Sequence, residues 1–120
     1  IGPVTDALGL SEMIAAVRGV HVADALRAYI VEVTAATRNH PDIYLGASPR
    51  ASIMLLRAAR AMAASNGRDY VIPDDVKALA VPVLAHRVIA AADAVMAGRS
   101  TQAILSELLQ SVRVPVKDEA

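Results

Sequence analysis

The chain contains no cysteine, which excludes a disulfide framework, a Cys-ligated zinc site and Cys-His nucleophilic chemistry. It has three Tyr and no Phe or Trp, so it lacks aromatic platforms on which unstacked bases could be held. Lys plus Arg and Asp plus Glu stand at 12 each, leaving no net charge to draw nucleic acid or an anionic membrane. No apolar run approaches the roughly 20 residues that span a bilayer, so no membrane insertion is expected. The opening IGPVTDALGL has no basic n-region and is not a secretory signal; with the missing cysteines, this fits a cytoplasmic protein. The six glycines, Gly2, Gly9, Gly19, Gly46, Gly67 and Gly98, head no G-x-x-x-x-G-K-[ST] loop, and no G-x-S-x-G is present. His21, His40 and His86 show no metal-ligand spacing, and no metal site is expected.

What the chain does have is alanine, 25 in 120 residues. Alanine is the best helix former, so the composition predicts an all-α helical bundle packed through small side chains, with at most very short extended segments. The length suits one domain with a real core. Residues 1–10 read as a linker remnant, as of a fragment from something longer, and 116–120 as a fraying tail.

Ser11 to Arg18 reads as a short helix capped by Ser11 and stopped by Gly19. Leu26, Ile30, Val33 and Thr37 fall at i, i+4, i+7 and i+11, with Val22 and Tyr29 beside them, which predicts an amphipathic helix from about Ala23 to Arg38. DIYLGA reads as loop. A third helix is expected from Pro49 to about Ser65, with Asn66-Gly67 as a left-handed stop. At 100° per residue it buries Leu55, Leu56, Ala59, Met62 and Ala63 and turns Arg50, Arg57 and Arg60 the other way. DYVI reads as one extended segment, and Val88-Ile89 is a candidate to pair with Tyr70 to Ile72. Pro73 opens a helix that continues, straight or kinked, past Pro82. Ser100 or Thr101 opens the last, carrying Ile104, Leu105, Leu108 and Leu109.

The two Pro-led helix starts differ in charge. After Pro73 come Asp74 and Asp75, which complement the positive end of the helix dipole; adjacent helical residues point about 100° apart, so the two are not an acid/base pair. After Pro49 come Arg50, Ala51 and Ser52, with Ser48 as candidate cap. A start that keeps its free N–H groups and adds a guanidinium suits an anion, phosphate above all; the alternative is an exposed arginine with a slightly unfavourable dipole term. Arg57 and Arg60 extend the arginine face, either as a solvated surface or as a docking surface for a neighbouring domain.

The stretch LGASPRASIMLLRAARAMAASNGRDYVIPDDVKALAVPVLAHR resembles the lid subdomain of MoxR-family AAA+ ATPases. In that family a G-A-S-P-R-A segment opens a lid helix, a G-R-D-Y-V-x-P-D-D-V-K segment follows, and an H-R pair comes next. The upstream VHVADALRAYIVEVTAATRNHP and the closing ILSELLQSVRVPV resemble the family as well, so the similarity runs from about Glu12 to Pro115 and the lid is expected over 11–115.

The resemblance implies that Arg50, beside Ser48, is a sensor-2 arginine reaching the γ-phosphate of ATP, with Mg, held in a separate α/β core. That core would carry the P-loop and acidic motif lacking here, so the parent would be the ATPase and this fragment alone not catalytic, with no cofactor of its own. Implied partners are the core, neighbouring ring subunits and von Willebrand factor A domain proteins, in chaperone-like remodelling; the Arg57/Arg60 face is a candidate contact with the core or an adjacent ring subunit. The sequence departs from the family in two places. Ile72 stands where Thr or Ser often caps the Pro73 helix, implying a looser start, and Ala90 to Gly98 is richer in alanine. A second reading from a different class is a free-standing helical interaction module that binds an acidic partner through the Arg57/Arg60 face. A small nucleic-acid-binding domain is disfavoured by the charge balance.

Overall fold

The computed structural model describes residues 7–115. Six helices, α1 (Ala7–Arg18), α2 (Asp24–Ala36), α3 (Pro49–Ser65), α4 (Pro73–Leu84), α5 (Ala92–Met96) and α6 (Thr101–Ser111), are joined by a 3₁₀ turn (Thr37–Asn39) and two short strands, β1 (Ile43–Leu45) and β2 (Ile89–Ala90). The fold is the all-α bundle that the alanine content predicts. Residues 1–6 of the expected linker and the expected tail 116–120 lie outside the described residues.

The helical periodicities hold. Leu26, Tyr29, Ile30, Val33 and Thr37 are buried, as is Val22 at the entry to α2. On α3 the buried face is Ala51, Leu55, Ala59 and Ala63, with Leu56 and Met62 half-buried at its margins. Alanine at three of these positions and at Ala80 of α4 lets the two backbones approach closely, which is how a chain so poor in large side chains closes a core. Ile104, Leu105 and Leu108 of α6 are buried in the same core, and Leu109 packs at its edge. Ser100 caps α6, its hydroxyl accepting from the Ala103 N–H at 3.0 Å. Gly67 takes φ 75°, the left-handed stop expected after α3.

Several local expectations are corrected. The first helix begins at Ala7, so Ser11 lies inside it and caps nothing. The regular helix of α2 gives way at Ala36 to a 3₁₀ turn rather than running to Arg38. DIYLGA is not all loop: Ile43–Leu45 forms β1, which pairs antiparallel with β2 through Ile43–Ala90 and Leu45–Ile89. Ile89 therefore does not pair with DYVI. Tyr70 instead forms a parallel bridge with His21, through His21 N–H to Asp69 O at 2.8 Å and Val71 N–H to His21 O at 2.9 Å. Arg99 bridges Asp42, before β1, and Glu107 on α6.

The start of α4 is not loose. Ile72 offers no hydroxyl, but the Asp75 carboxylate accepts the Ile72 N–H at 2.9 Å. The same carboxylate takes two parallel bonds from the Arg68 guanidinium, both at 2.7 Å. Asp75 is 3% exposed whereas Asp74 is exposed, so only Asp74 serves the dipole alone. Burial pushes the Asp75 carboxyl up, but the Arg68 bonds and the Ile72 N–H outweigh it and hold the group below the ordinary carboxylate range. A depressed folded-state pKa adds stability that is complete above the unfolded pKa and is lost as pH falls through the folded one. Asp75→Ala is expected to cost about 2 kcal/mol at neutral pH, by leaving buried donors without an acceptor. Urea melts of the two chains at neutral pH and below the carboxylate range should show that difference shrinking in acid.

Candidate functional site

The site is built from the residues that fix the start of α3. Gly46 lies so close to the preceding turn that a Cβ there would stand 2.6 Å from Thr37 O and 2.7 Å from Arg38 Cα. Only glycine fits against that backbone. The next residue, Ala47, is fully buried and held on both sides. Its N–H donates to Thr37 Oγ1 at 2.9 Å, and its carbonyl accepts from the Arg38 guanidinium at 2.7 Å. Thr37 Oγ1 in turn donates to Thr34 O at 2.6 Å, a hydroxyl used as donor and acceptor at once. The 3₁₀ turn after α2 thus clamps the loop before α3.

Past the clamp, Ser48, Pro49 and Arg50 are all exposed. Ser48 occupies the N-cap position with extended backbone, but its side chain makes no cap hydrogen bond, which corrects the expected role of its hydroxyl. No acidic residue lies in the first turn of α3, and Pro49 has no N–H to satisfy. Among the described residues Arg50 has neither hydrogen bond nor ion pair, whereas Arg38, Arg68 and Arg99 are all engaged. The Ala51 N–H already donates to Ser48 O at 2.9 Å, so the helix start presents a guanidinium, a hydroxyl and the Arg50 N–H to one side of the domain, fixed at the root by Gly46 and Ala47. That combination has the donors and the charge to hold a phosphate.

Arg57 and Arg60 lie about two and three turns further along, and they do not meet Arg50 in one pocket. They instead border a groove between α1 and α3, together with Arg18. His21 and His86 are exposed, and His40 Nδ1 accepts the Asp42 N–H at 3.0 Å. Among the described residues no three His, Asp or Glu groups gather as a metal site. No helix there is long and apolar enough to cross a membrane. Thr37, Arg38 and Gly46 were not singled out from the sequence as positioning residues. The visible signal is Gly46 itself, a glycine three residues before the Pro49 that opens the helix, where a close backbone approach is one of the reasons to use it.

Residues 35–108 match the family model of the AAA lid domain. The chain is 44% identical over 104 residues to the uncharacterized protein YeaC of Bacillus subtilis, covering 87% of this chain and 32% of that protein. It is 40% identical over 119 residues to the chaperone MoxR1 of Mycobacterium tuberculosis, covering 92% and 31% respectively. The crystal structure of a candidate ATPase from Cytophaga hutchinsonii superposes with a TM-score of 0.82 at 37% identity, over 88% of this chain and 34% of that one. The chain thus spans about a third of the length of these relatives.

The clamp makes a direct prediction. Gly46→Ala should destabilise the domain by roughly 1–3 kcal/mol, since the obstacle is backbone and cannot rotate away. Thr37→Val, which keeps the shape and removes the hydroxyl, should cost about 1–3 kcal/mol through the orphaned Ala47 N–H. Thermal melts of both variants measure this, and an unchanged midpoint for Gly46→Ala would mean that the loop does not rest on the turn.

The helical bundle, the family match and the relatives agree, and the chain belongs to the AAA lid domain family, in its MoxR type.

Proposed function

We propose that this chain, over 11–115, serves as the lid of a MoxR-type AAA+ ATPase, and that Arg50 is its sensor-2 arginine. The observation that carries the reading is the state of the α3 start, where an arginine and a serine are exposed, unpartnered and free of any first-turn carboxylate. Half of a divided site should look like this, because the anion that neutralises it comes with the other half. ATP with Mg, bound by a separate core, would supply the phosphoryl group. This chain supplies a positive charge and N–H donors that bind and orient the terminal phosphate, and a rigid helix that delivers them when lid and core close. Because α3 runs through the lid core, a force at Arg50 moves the domain as a body, coupling nucleotide state to lid motion and chaperone-like remodelling. The Arg57/Arg60 face serves as a contact surface for the core or a neighbouring ring subunit. Von Willebrand factor A domain proteins are the proposed clients or co-factors of the assembled ring.

The free-standing module remains the second reading, and the observation that favours it is the basic groove at Arg57 and Arg60. The two readings differ in what Arg50 does. In the full-length ATPase, Arg50→Ala should lower turnover on the order of 10²-fold, the usual cost of removing one charge-stabilising donor, with the helical spectrum unchanged. Titration calorimetry of the chain alone with Mg-ATP should give no saturable heat. Unchanged turnover would remove Arg50 from the site, and micromolar affinity of the chain alone would overturn the divided-site view.

A further inference from the structure

Leu10, Met13, Ile14 and Val17 recur on α1 at i, i+3, i+4 and i+7, the stripe with which a helix joins a core. Yet Leu10, Met13 and Ile14 are 52%, 57% and 46% exposed. α1 packs against α3, and the stripe lines an open groove of about 730 Å³ between the two helices. Three arginines stand along it: Arg18 from the last turn of α1, and Arg57 and Arg60 from α3. Among the described residues none of the three makes a hydrogen bond or ion pair, and the Arg60 Nε is buried with no acceptor. Nothing on α3 offsets them, since that helix has no acidic residue, and α1 has one, Glu12.

An aliphatic floor and a cationic rim together specify an occupant. Free phosphate or a nucleic acid would meet the arginines but leave the apolar floor in water, and no aromatic side chain lines the groove for a base to stack on. A purely apolar ligand would cover the floor and leave three guanidinium groups at its border unpaired. Carboxylates flanking an apolar stripe at helical spacing satisfy both, the helix-in-groove mode of recognition. We propose that the α1–α3 groove docks an acidic amphipathic helix of a partner polypeptide, its apolar stripe on Leu10, Met13, Ile14 and Val17 and its carboxylates on Arg18, Arg57 and Arg60. The inference rests on the docking role of the Arg57/Arg60 face and on no part of the Arg50 reading.

A fluorescein-labelled helical peptide with leucines at i, i+3, i+4 and i+7 flanked by glutamates is the probe, titrated with the 120-residue chain and read by anisotropy. Saturable binding is expected, about tenfold weaker or worse in Arg57→Glu/Arg60→Glu and again in Met13→Glu, and weakened by salt. The same peptide with lysines in place of the glutamates should not bind, and Arg50→Ala should bind like the parent chain. Each variant is first matched to the parent by circular dichroism. In the unmodified chain, amide shifts on adding the peptide should cluster on α1 and the facing turns of α3. Equal binding of acidic and basic peptides, unchanged binding by the groove variants, or shifts elsewhere would overturn the proposal. So would a dimer in sedimentation that Met13→Glu dissolves, because the groove would then be covered by a second copy of the chain.

Discussion

Gly46 lies against the carbonyl of Thr37 at a distance no Cβ tolerates, and the geometry at the start of α3 follows from that contact. The approach brings Ala47 between Thr37 and Arg38, whose side chains take up its N–H and its carbonyl. Both backbone polar groups of the fully buried Ala47 thus have a partner, as burial requires. With the loop fixed, Pro49 sets the helix direction, and the first exposed side chains beyond it are presented in a defined orientation. A flexible loop would let Arg50 seek a carboxylate on its own domain surface; a clamped one keeps the arginine uncompensated.

A second constraint fixes the far end of α3. After Gly67 turns the chain, Arg68 grips Asp75 and Asp75 grips the Ile72 N–H, so the α3–α4 connection is tied to the first turn of α4. Alanines along the interface let those two helices pack closely. α3 is thus held at both termini and along its buried face, where it packs on α4, which packs in turn on α6. Small side chains have a cost in buried area, and the polar clamps at the two ends offset part of it.

Much of this was legible in the sequence where the determinant is local. The i, i+3, i+4 spacing located the faces of α2, α3 and α6, the Asn66-Gly67 pair located the end of α3, and the contrast between Arg50 and Asp74 marked one helix start as unusual. The family resemblance, not the spacing, named the anion. What escaped depends on partners that a window of one helix cannot contain. Thr37 meets Ala47 across ten residues, and Arg99 meets Asp42 across 57. The pairing of Ile43 with Ala90 has no sequence signal in strands of three and two residues. The start of α4 was misjudged because a hydroxyl was sought at Ile72, while the acceptor sits three residues on at Asp75. The α1 stripe was missed for a simpler reason, since a helix begun at Ser11 leaves out Leu10 and truncates the pattern.

If the turn at Thr37–Arg38 exists to present Arg50, its effect on catalysis must pass through Arg50. The decisive measurement is a double-mutant cycle in the proposed full-length ATPase, with Arg38→Met, Arg50→Ala and both together, scored by ATP turnover in variants shown to remain folded. Arg38→Met alone should slow turnover, and adding it to Arg50→Ala should slow it no further. Slowing by the product of the two single effects would mean that the clamp and the arginine act independently, and would contradict the presentation of Arg50 by the clamp.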